Sequence, residues 1–381
     1  MNLRNPKFEY SQQFFFNLNE ANHVTFGVLV EKMNSTPKTT DLLRPYDPNK
    51  PRETQDLGYH GAKELPVKIF NVSWSNLGAF SQLKTDWSET VSSTLGVRFD
   101  ESSTYGQTVN PRAGVVWAPE SGSFLKLLYG EAFLAPSPRF TYEHYGSFAF
   151  QRDDGIYQSF FMHIPNPDLE PEEMTTYEIN GNYQVSESFS ISATAYVEIV
   201  ENMIAATITP EPVSDYIEGG EIATTQINDN VGELNNQGFD LYMKSFHNLD
   251  SFTIESWLSY SYVDGEFELE GSEKAELPFS AKSQYKGGVT TSWSDFVATT
   301  SARYITKATA TEIGSLRGFK TDEYGIADLF LSYRGLKDSE ISLWVKNVAD
   351  RDHYQPNVGN TAFSAVPQDG RTIYGQFRYH F

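Results

Sequence analysis

The sequence contains no cysteine and no long apolar run. The lack of cysteine excludes a disulfide framework, a zinc–thiolate site and a cysteine nucleophile. A membrane-spanning helix needs about 18 or more consecutive apolar residues, and no stretch of the 381 residues approaches that length. This test does not exclude a transmembrane β-barrel, because only alternate residues of its strands face lipid.

Basic residues are scarce. The chain has 29 Lys and Arg against 50 Asp and Glu, which gives a formal net charge of −21. A nucleic-acid partner is therefore not expected, because such a partner is bound by neutralising its phosphates with Lys and Arg.

Catalytic motifs are missing as well. The sequence has no Gly-rich phosphate-binding loop after a strand and no Gly-x-Ser-x-Gly elbow. Its histidines lie in different segments, and none is paired at a metal-binding spacing such as His-x-x-x-His. We therefore predict that the protein is not an enzyme, has no metal site and needs no cofactor. The first six residues also lack the apolar core of a signal peptide.

Aromatic residues are abundant, with 27 Phe and 22 Tyr, and they recur in alternation with polar residues. The clearest example begins at Phe189, where one parity holds apolar residues and the other holds polar ones. Side chains alternate across a strand, so this pattern predicts a strand with one apolar and one polar face. In a barrel, lipid would contact Phe189, Ile191, Ala193, Ala195 and Val197, and the lumen would contain Ser190, Ser192, Thr194 and Tyr196.

About fifteen segments of this kind follow one another, and short turns alternate with long links. We expect long links over residues 34–66, 134–173, 205–234, 263–277 and 347–370. Outer-membrane barrels show this two-sided pattern, with short periplasmic turns and longer extracellular loops. The predicted fold class is therefore all-β, an antiparallel meander. A passive porin-like channel and a soluble β-rich surface-binding protein are the alternatives from other classes.

The last strand also points to a barrel. Its apolar parity includes Ile373, Phe377, Tyr379 and Phe381, and the chain ends on an aromatic residue. This strand resembles the closing strand of bacterial outer-membrane barrels. The resemblance implies that Tyr379 and Phe381 form the C-terminal signal that the barrel assembly machinery reads.

Two short motifs flank the second long link. The first contains Phe133, Ala135 and Pro136, and the second consists of Asn166, Pro167, Asp168 and Leu169 and is followed by Tyr177-Glu178. Three further stretches, residues 95–100, 110–114 and 345–354, occur at strand ends in the same order as in one family. Together the five stretches resemble the TonB-dependent outer-membrane receptors of the siderophore and haem type. The first motif departs from the family pattern at Leu134, where arginine is usual.

The resemblance covers essentially the whole chain and implies a barrel of the 22-stranded class that contains a plug. Residues 1–381 would then be one partial barrel domain, the C-terminal fifteen or so strands, with the signal, the plug and the first strands missing. We expect such a fragment to expose its first and last strands as unpaired edges and not to transport alone.

The resemblance also implies a function: active, TonB-coupled uptake of an iron chelate across the outer membrane of a Gram-negative bacterium. A ferric siderophore is the favoured ligand, and haem and cobalamin are the alternatives. The implied partners are TonB, through the missing plug, the lipid and lipopolysaccharide of the outer membrane, and the barrel assembly machinery.

The link between the two motifs is rich in aromatic residues and arginine. Rings with polar groups suit partly apolar chelates, and a guanidinium suits carboxylates and catecholates. The candidate ligand-binding residues are Arg139, Tyr142, His144, Tyr145, Arg152, Tyr157 and His163. For haem, His144 or His163 would be the matching ligand. The alternative is that these side chains pack on one another over the barrel mouth.

Overall fold

A computed structural model describes residues 7–35, 72–142, 145–151, 153–155, 157–209, 220–309, 320–356 and 365–379. In chain order its elements are β1 (Lys7–Asn17), β2 (Asn22–Ser35), β3 (Val72–Asp86), β4 (Val91–Ser102), β5 (Gly106–Glu120), β6 (Ser123–Leu134), α1 (Pro138–Tyr142), β7 (Tyr145–Gln151), β8 (Tyr157–Ile164), β9 (Glu172–Ser186), β10 (Phe189–Thr209), β11 (Gly220–Ile222), β12 (Thr225–Leu249), β13 (Phe252–Leu269), β14 (Ala275–Glu276), β15 (Ser283–Trp293), β16 (Phe296–Ile305), β17 (Tyr324–Leu336), β18 (Ser339–Lys346), β19 (Tyr354–Pro356), β20 (Ala365–Pro367) and β21 (Thr372–Tyr379).

Fifteen of the described strands form one antiparallel meander, in which each strand pairs with the next. They are β1 to β6, β9, β10, β12, β13, β15 to β18 and β21. The predicted fold class and number of strands are therefore confirmed. Within the described residues, β1 pairs only with β2 and β21 only with β18, so both ends of the meander present the expected edges. Among the same residues, no helix has the length and apolar character needed to cross a membrane.

The register joins residues of one kind into continuous rows. Ala195 of β10 lies opposite Ile179 of β9 and Phe239 of β12, whereas the next residue, Tyr196, lies opposite Glu178 and Gly238. We call the surface formed by the row of Ala195 the apolar face, and the surface formed by the row of Tyr196 the polar face. The alternation predicted for β10 is thus shared by its neighbours, which is how cross-strand pairs stabilise a sheet.

Two aromatic rows border the apolar face. Tyr285 lies between Tyr260 and Tyr304, with ring centroids 4.7 and 6.2 Å away. Trp293, eight residues further along β15, contacts Phe296, with ring centroids 6.2 Å apart. Eight residues correspond to about 27 Å of strand, which is close to the apolar band of about 25 Å, flanked by aromatic girdles, that transmembrane barrels need.

Turns and long links lie at opposite edges of the sheet, with one exception. On the long-link side, β4 and β5 are joined by only three residues, 103–105. Strands also extend beyond their predicted ends: β10 continues to Thr209, β12 begins at Thr225 and β13 ends at Leu269. The expected links 205–234 and 263–277 were therefore too long, because the polar sequence there still pairs as antiparallel sheet.

The buried apolar side chains of the described residues lie toward the long-link side. They are Val72, Tyr142, Met162, Ile164, Leu169, Ala281, Ala308 and Ile326. Four of these eight belong to the insert between β6 and β9, which is the segment with the predicted ligand-binding residues.

Candidate functional site

The insert between β6 and β9 folds inward over the polar face. Its residues Pro136 and Tyr142 line a cavity of about 210 Å³ together with Trp74 and Asn76. Trp74 and Asn76 belong to the polar face of β3, because Leu77 and Ala79 on the other parity belong to the apolar rows. The insert therefore covers the polar surface at its long-link end.

Strand pairing fixes the insert to a distant part of the chain. β7 and β8 form a hairpin, and β8 then pairs in parallel with the beginning of β12, where Met162 lies opposite Thr225 and Ile164 opposite Ile227. Met162 and Ile164 are 0% and 1% exposed, so apolar burial reinforces this pairing.

The second motif forms the other attachment. The amide nitrogen of buried Asn166 donates to the backbone oxygen of Asn228 at 2.8 Å and to the Asp229 carboxylate, and its oxygen accepts from the backbone N–H of Asp168 at 3.2 Å. The backbone N–H of Glu170 donates to the side-chain oxygen of Asn230, and the amide nitrogen of Asn230 donates to the backbone oxygen of Glu170, both at 2.9 Å. The motif therefore joins the end of the insert to β12.

The two motifs meet at the cavity. Ala135 and Pro136 of the first motif and Leu169 of the second contribute to its lining. Leu169 is 3% exposed. The two motifs therefore have a common structural role, which is to seat the insert against the barrel wall.

Tyr142 and His163 are both buried, with 4% and 5% of their surfaces exposed. Burial raises the pKa of the Tyr142 phenol, so Tyr142 stays neutral at physiological pH. The amide nitrogen of Asn228 lies 3.1 Å from Nε2 of His163. Because an amide nitrogen donates, Nε2 accepts this bond and is already engaged.

Arg139 is exposed on the short helix α1, and Phe140 beside it is 38% exposed. The backbones of Tyr145 and Tyr157 lie in the hairpin, opposite His163 and Gln151 respectively. His144 and Arg152 lie outside the described residues. Ligand binding by all seven candidates stays a prediction.

Sequence reasoning missed two arginines of the polar face. Arg98 and Arg112 line a second pocket of about 460 Å³, beside the beginning of the insert. Both occur in stretches that matched the family pattern, but neither was selected as a site residue. The register of β4 and β5 identifies them, because it places Arg112 opposite Gly96 and Arg98 opposite Asn110 on the polar face.

Within the stretch 345–354, residues 347–353 form a tight exit loop after β18. Asn347 has a φ of 49°, a left-handed conformation that asparagine tolerates better than most residues. Its backbone N–H donates to Asp328 at 2.7 Å, and its side chain bonds both the oxygen and the nitrogen of the Arg351 backbone. This asparagine therefore shapes the loop.

Comparison with known proteins agrees with this architecture. A family model described as "TonB dependent receptor-like, beta-barrel" matches residues 3–348. The chain belongs to the TonB-dependent receptor family. The resemblance inferred from the five motifs is thus confirmed. No curated protein sequence matches the chain.

Solved structures of TonB-dependent receptors share the fold. The outer membrane transporter YddB from Escherichia coli is 12% identical, with a TM-score of 0.70, and the alignment covers 98% of this chain and 54% of YddB. The siderophore receptor PirA from Acinetobacter baumannii is 14% identical, with a TM-score of 0.68 and the same coverage. The FrpB iron transporter from Neisseria meningitidis is 17% identical, with a TM-score of 0.64 and coverage of 98% and 55%. The chain therefore spans about half the length of these structures.

Family membership assigns the two faces of the sheet. In outer-membrane barrels the apolar face contacts lipid and the polar face lines the lumen. The family and its solved members are receptors and transporters of the outer membrane. Within the described residues, no cluster of three or more His, Asp or Glu side chains is arranged to hold a metal ion. The lack of a catalytic activity and of a cofactor stays a prediction.

Proposed function

We propose that this TonB-dependent receptor takes up an iron chelate, with a ferric siderophore as the favoured ligand. The observation that carries the proposal is the inward-folded insert, which is fixed by β8 and Asn166 and has Arg139 and Phe140 exposed on α1. An exposed guanidinium and an exposed aromatic ring suit an anionic chelate that also has apolar surface.

The solved structures support this ligand class. PirA is named a siderophore receptor, FrpB an iron transporter, and PfeA from Pseudomonas aeruginosa a ferric enterobactin receptor. Haem is less favoured, because His163 is buried and its Nε2 is engaged by Asn228.

The remaining partners are part of the proposal. Residues 1–381 would act as one barrel domain of an outer-membrane receptor in a Gram-negative bacterium, with energy supplied by TonB through a plug. Lipid and lipopolysaccharide would cover the apolar face. The barrel assembly machinery would read the terminal strand, of which Tyr379 is exposed and Phe381 lies outside the described residues.

Ligand binding tests the proposal directly. Fluorescence quenching of the purified receptor in detergent would be measured against ferric siderophores, haem and cobalamin. We expect a ferric siderophore to bind most tightly, and Arg139→Ala to weaken it about tenfold through loss of a charge-assisted contact.

A matched control is Lys274→Ala, which removes an exposed cation from a different long link and should change the affinity less than twofold. Uptake of radioactive iron by the complete receptor, including its plug, in cells with and without TonB then tests the coupling. Tighter binding of haem or cobalamin than of every siderophore would reject the favoured ligand, and uptake independent of TonB would reject the coupling.

A further inference from the structure

A groove of about 910 Å³ runs across the apolar face from β5 to β13. Its walls are two adjacent rows of that face. They are the row of Tyr129, Tyr177 and Val197 and the row of Leu127, Ile179 and Ala195. The backbone between the two rows forms the floor, because the side chains of the residues between them point to the polar face.

The dimensions of the groove suit a single hydrocarbon chain. Its walls are two residues apart along each strand, which corresponds to about 7 Å. The groove crosses β5, β6, β9, β10, β12 and β13, and the spacings between these strands add up to about 24 Å. One leaflet contributes about half of a hydrocarbon core of about 30 Å, or about 15 Å. A chain that lies obliquely in the membrane could therefore lie in the groove over its whole length.

The two ends of the groove differ in polarity. Ala113 and Val115 line the end on β5. Gln237 and Tyr262 line the end on β12 and β13, where Asp264 lies opposite Gln237. The groove thus leads from polar residues to apolar residues, as a lipid leads from its head to the end of its chain.

A polar pocket of about 540 Å³ continues the groove at the end on β12 and β13, because Val197 and Gln237 line both. The charged residues of this pocket have both signs. They are Asp264, Glu266, Glu276, Lys274 and Lys282. Because the carboxylates outnumber the lysines, a purely anionic head group would be repelled, whereas a head group with charges of both signs would find a partner for each.

Lys274 is available to such a head group. It is exposed, and its Nζ lies 3.6 Å from Glu266 and 3.8 Å from Glu268. Both distances are longer than a hydrogen bond. The ammonium group of Lys274 could therefore donate to a phosphate while Glu266 accepts from an ammonium group of the same head.

We propose that the groove and the polar pocket together bind one phospholipid, with a straight acyl chain in the groove and a head that carries a phosphate and an ammonium group in the pocket. The site is continuous with the apolar face, which the proposed function assigns to lipid. Lipid tails are as apolar as leucine, so van der Waals packing selects the chain. A straight saturated chain keeps this contact along the groove, whereas a chain bent by a cis double bond opens gaps that forfeit it.

Native mass spectrometry of the purified receptor in detergent tests the site with three phospholipids. Dipalmitoyl phosphatidylethanolamine has both features, dioleoyl phosphatidylethanolamine has bent chains, and dipalmitoyl phosphatidylglycerol lacks the ammonium group. We expect the receptor to retain one molecule of the first lipid, at a concentration about tenfold lower than either of the others requires. Ala195→Phe should fill the groove and weaken binding of the first lipid about tenfold.

The control is Ala193→Phe, which makes the same change on the apolar face of β10 but outside the lining of the groove. It should change the affinity less than twofold, and circular dichroism checks that both variants are folded. A second measurement needs no variant. A diazirine near the chain end of the saturated lipid, in nanodiscs with the unchanged receptor, should label peptides of β5 and β6 and leave β15 and β16 unlabelled.

Retention of no lipid, equal retention of the three lipids, or equal losses in Ala195→Phe and Ala193→Phe would overturn the site. A dimer that Ala195→Phe dissociates would assign the groove to a second copy of the chain and would overturn it as well. We expect Ala195→Phe to bind ferric chelates as the unchanged receptor does. Failure of the lipid site is therefore distinguishable from failure of the iron function.

Discussion

Glycine on the polar face allows large side chains to lie flat against the wall. At Gly238 an added Cβ would overlap the ring of Tyr196 on the next strand, and at Gly96 it would meet Arg112. These long side chains therefore cover backbone instead of projecting into the lumen. The choice of residues on the polar face therefore depends on the pairs across neighbouring strands as well as on the alternation along each strand.

Replacing Gly238 tests this arrangement. Gly238→Val should displace the Tyr196 ring and destabilise the barrel by about 1–3 kcal/mol, as overpacking does. The control is Gly130→Ala, a polar-face glycine with no atom within 4 Å of an added Cβ, which should cost less than about 1 kcal/mol. Denaturant unfolding of both variants measures the difference, and equal losses would contradict the packing argument.

The stability of the long link between β13 and β15 depends on pH through Glu276. A hydrogen bond from Lys320, followed by one from Thr309, lowers the pKa of Glu276 from its ordinary value of 4.5. A carboxyl whose folded pKa is lowered stabilises the fold above its ordinary pKa, and this contribution is lost as the pH falls through the folded pKa. We expect residues 275–282 to exchange amide hydrogen more rapidly below pH 4.5, after correction for the intrinsic rate.

Glu276→Gln should remove this change, because its amide does not titrate in this range. Glu255→Gln, at an exposed ion pair with Lys244 on the polar face, is the control and should keep it. A pH response that survives in Glu276→Gln would assign the effect to another group.

At the scale of elements, the insert depends on its attachments to β12. Asn166→Ala removes donors to Asn228 and Asp229 at a site that is 4% exposed, and an unsatisfied buried group costs about 1–3 kcal/mol. We expect faster hydrogen exchange in residues 157–170, with the strands β15 and β16 unchanged.

Asn248→Ala serves as the control, because Asn248 is exposed near the β12–β13 turn. It should leave the exchange of the insert as it is. Faster exchange throughout the barrel in Asn166→Ala would indicate that the motif stabilises the whole sheet, and unchanged exchange would show that β8 alone holds the insert.

Strands of the meander were predictable because their alternation between apolar and polar residues is a local property. Phe189 to Val197 show it within nine residues. Strand ends were not predictable, since β12 continues through polar residues such as Asn228 and Asn230, which still pair with β10. The parallel pairing of β8 with β12 joins residues more than 60 positions apart, and no local pattern indicates it.

The candidate site was predictable only as a segment. Aromatic and arginine content located the insert, but it could not separate Arg139, which is exposed, from Tyr142, which is buried. The position of Arg112 against Gly96 of β4 follows only from the register of β4 and β5.

At the scale of the whole molecule, fifteen antiparallel strands make β1 and β21 run in the same direction. Direct closure between them would be parallel, which is rare in membrane barrels. The chain has no cysteine of its own, so a pair of introduced cysteines reports on closure without competition from other thiols. We expect Ile179→Cys with Ala195→Cys, which lie opposite each other, to form a disulfide on oxidation.

Tyr10→Cys with Gly375→Cys joins the two edge strands and should remain reduced, because β1 and β21 each pair on one side within the described residues. Mobility on a non-reducing gel and mass spectrometry of peptides measure both pairs. A disulfide between Tyr10→Cys and Gly375→Cys would show that the two strands can meet.

The length of β12 has a consequence for how far the sheet extends beyond the level that spans a membrane. It has 25 residues, whereas a strand that crosses a membrane needs about ten. Its first 13 residues, Thr225 to Gln237, precede the apolar stretch and correspond to about 40 Å of strand. A large particle that approached the sheet from its long-link side would therefore meet a stiff, paired collar of strands above the level that spans a membrane.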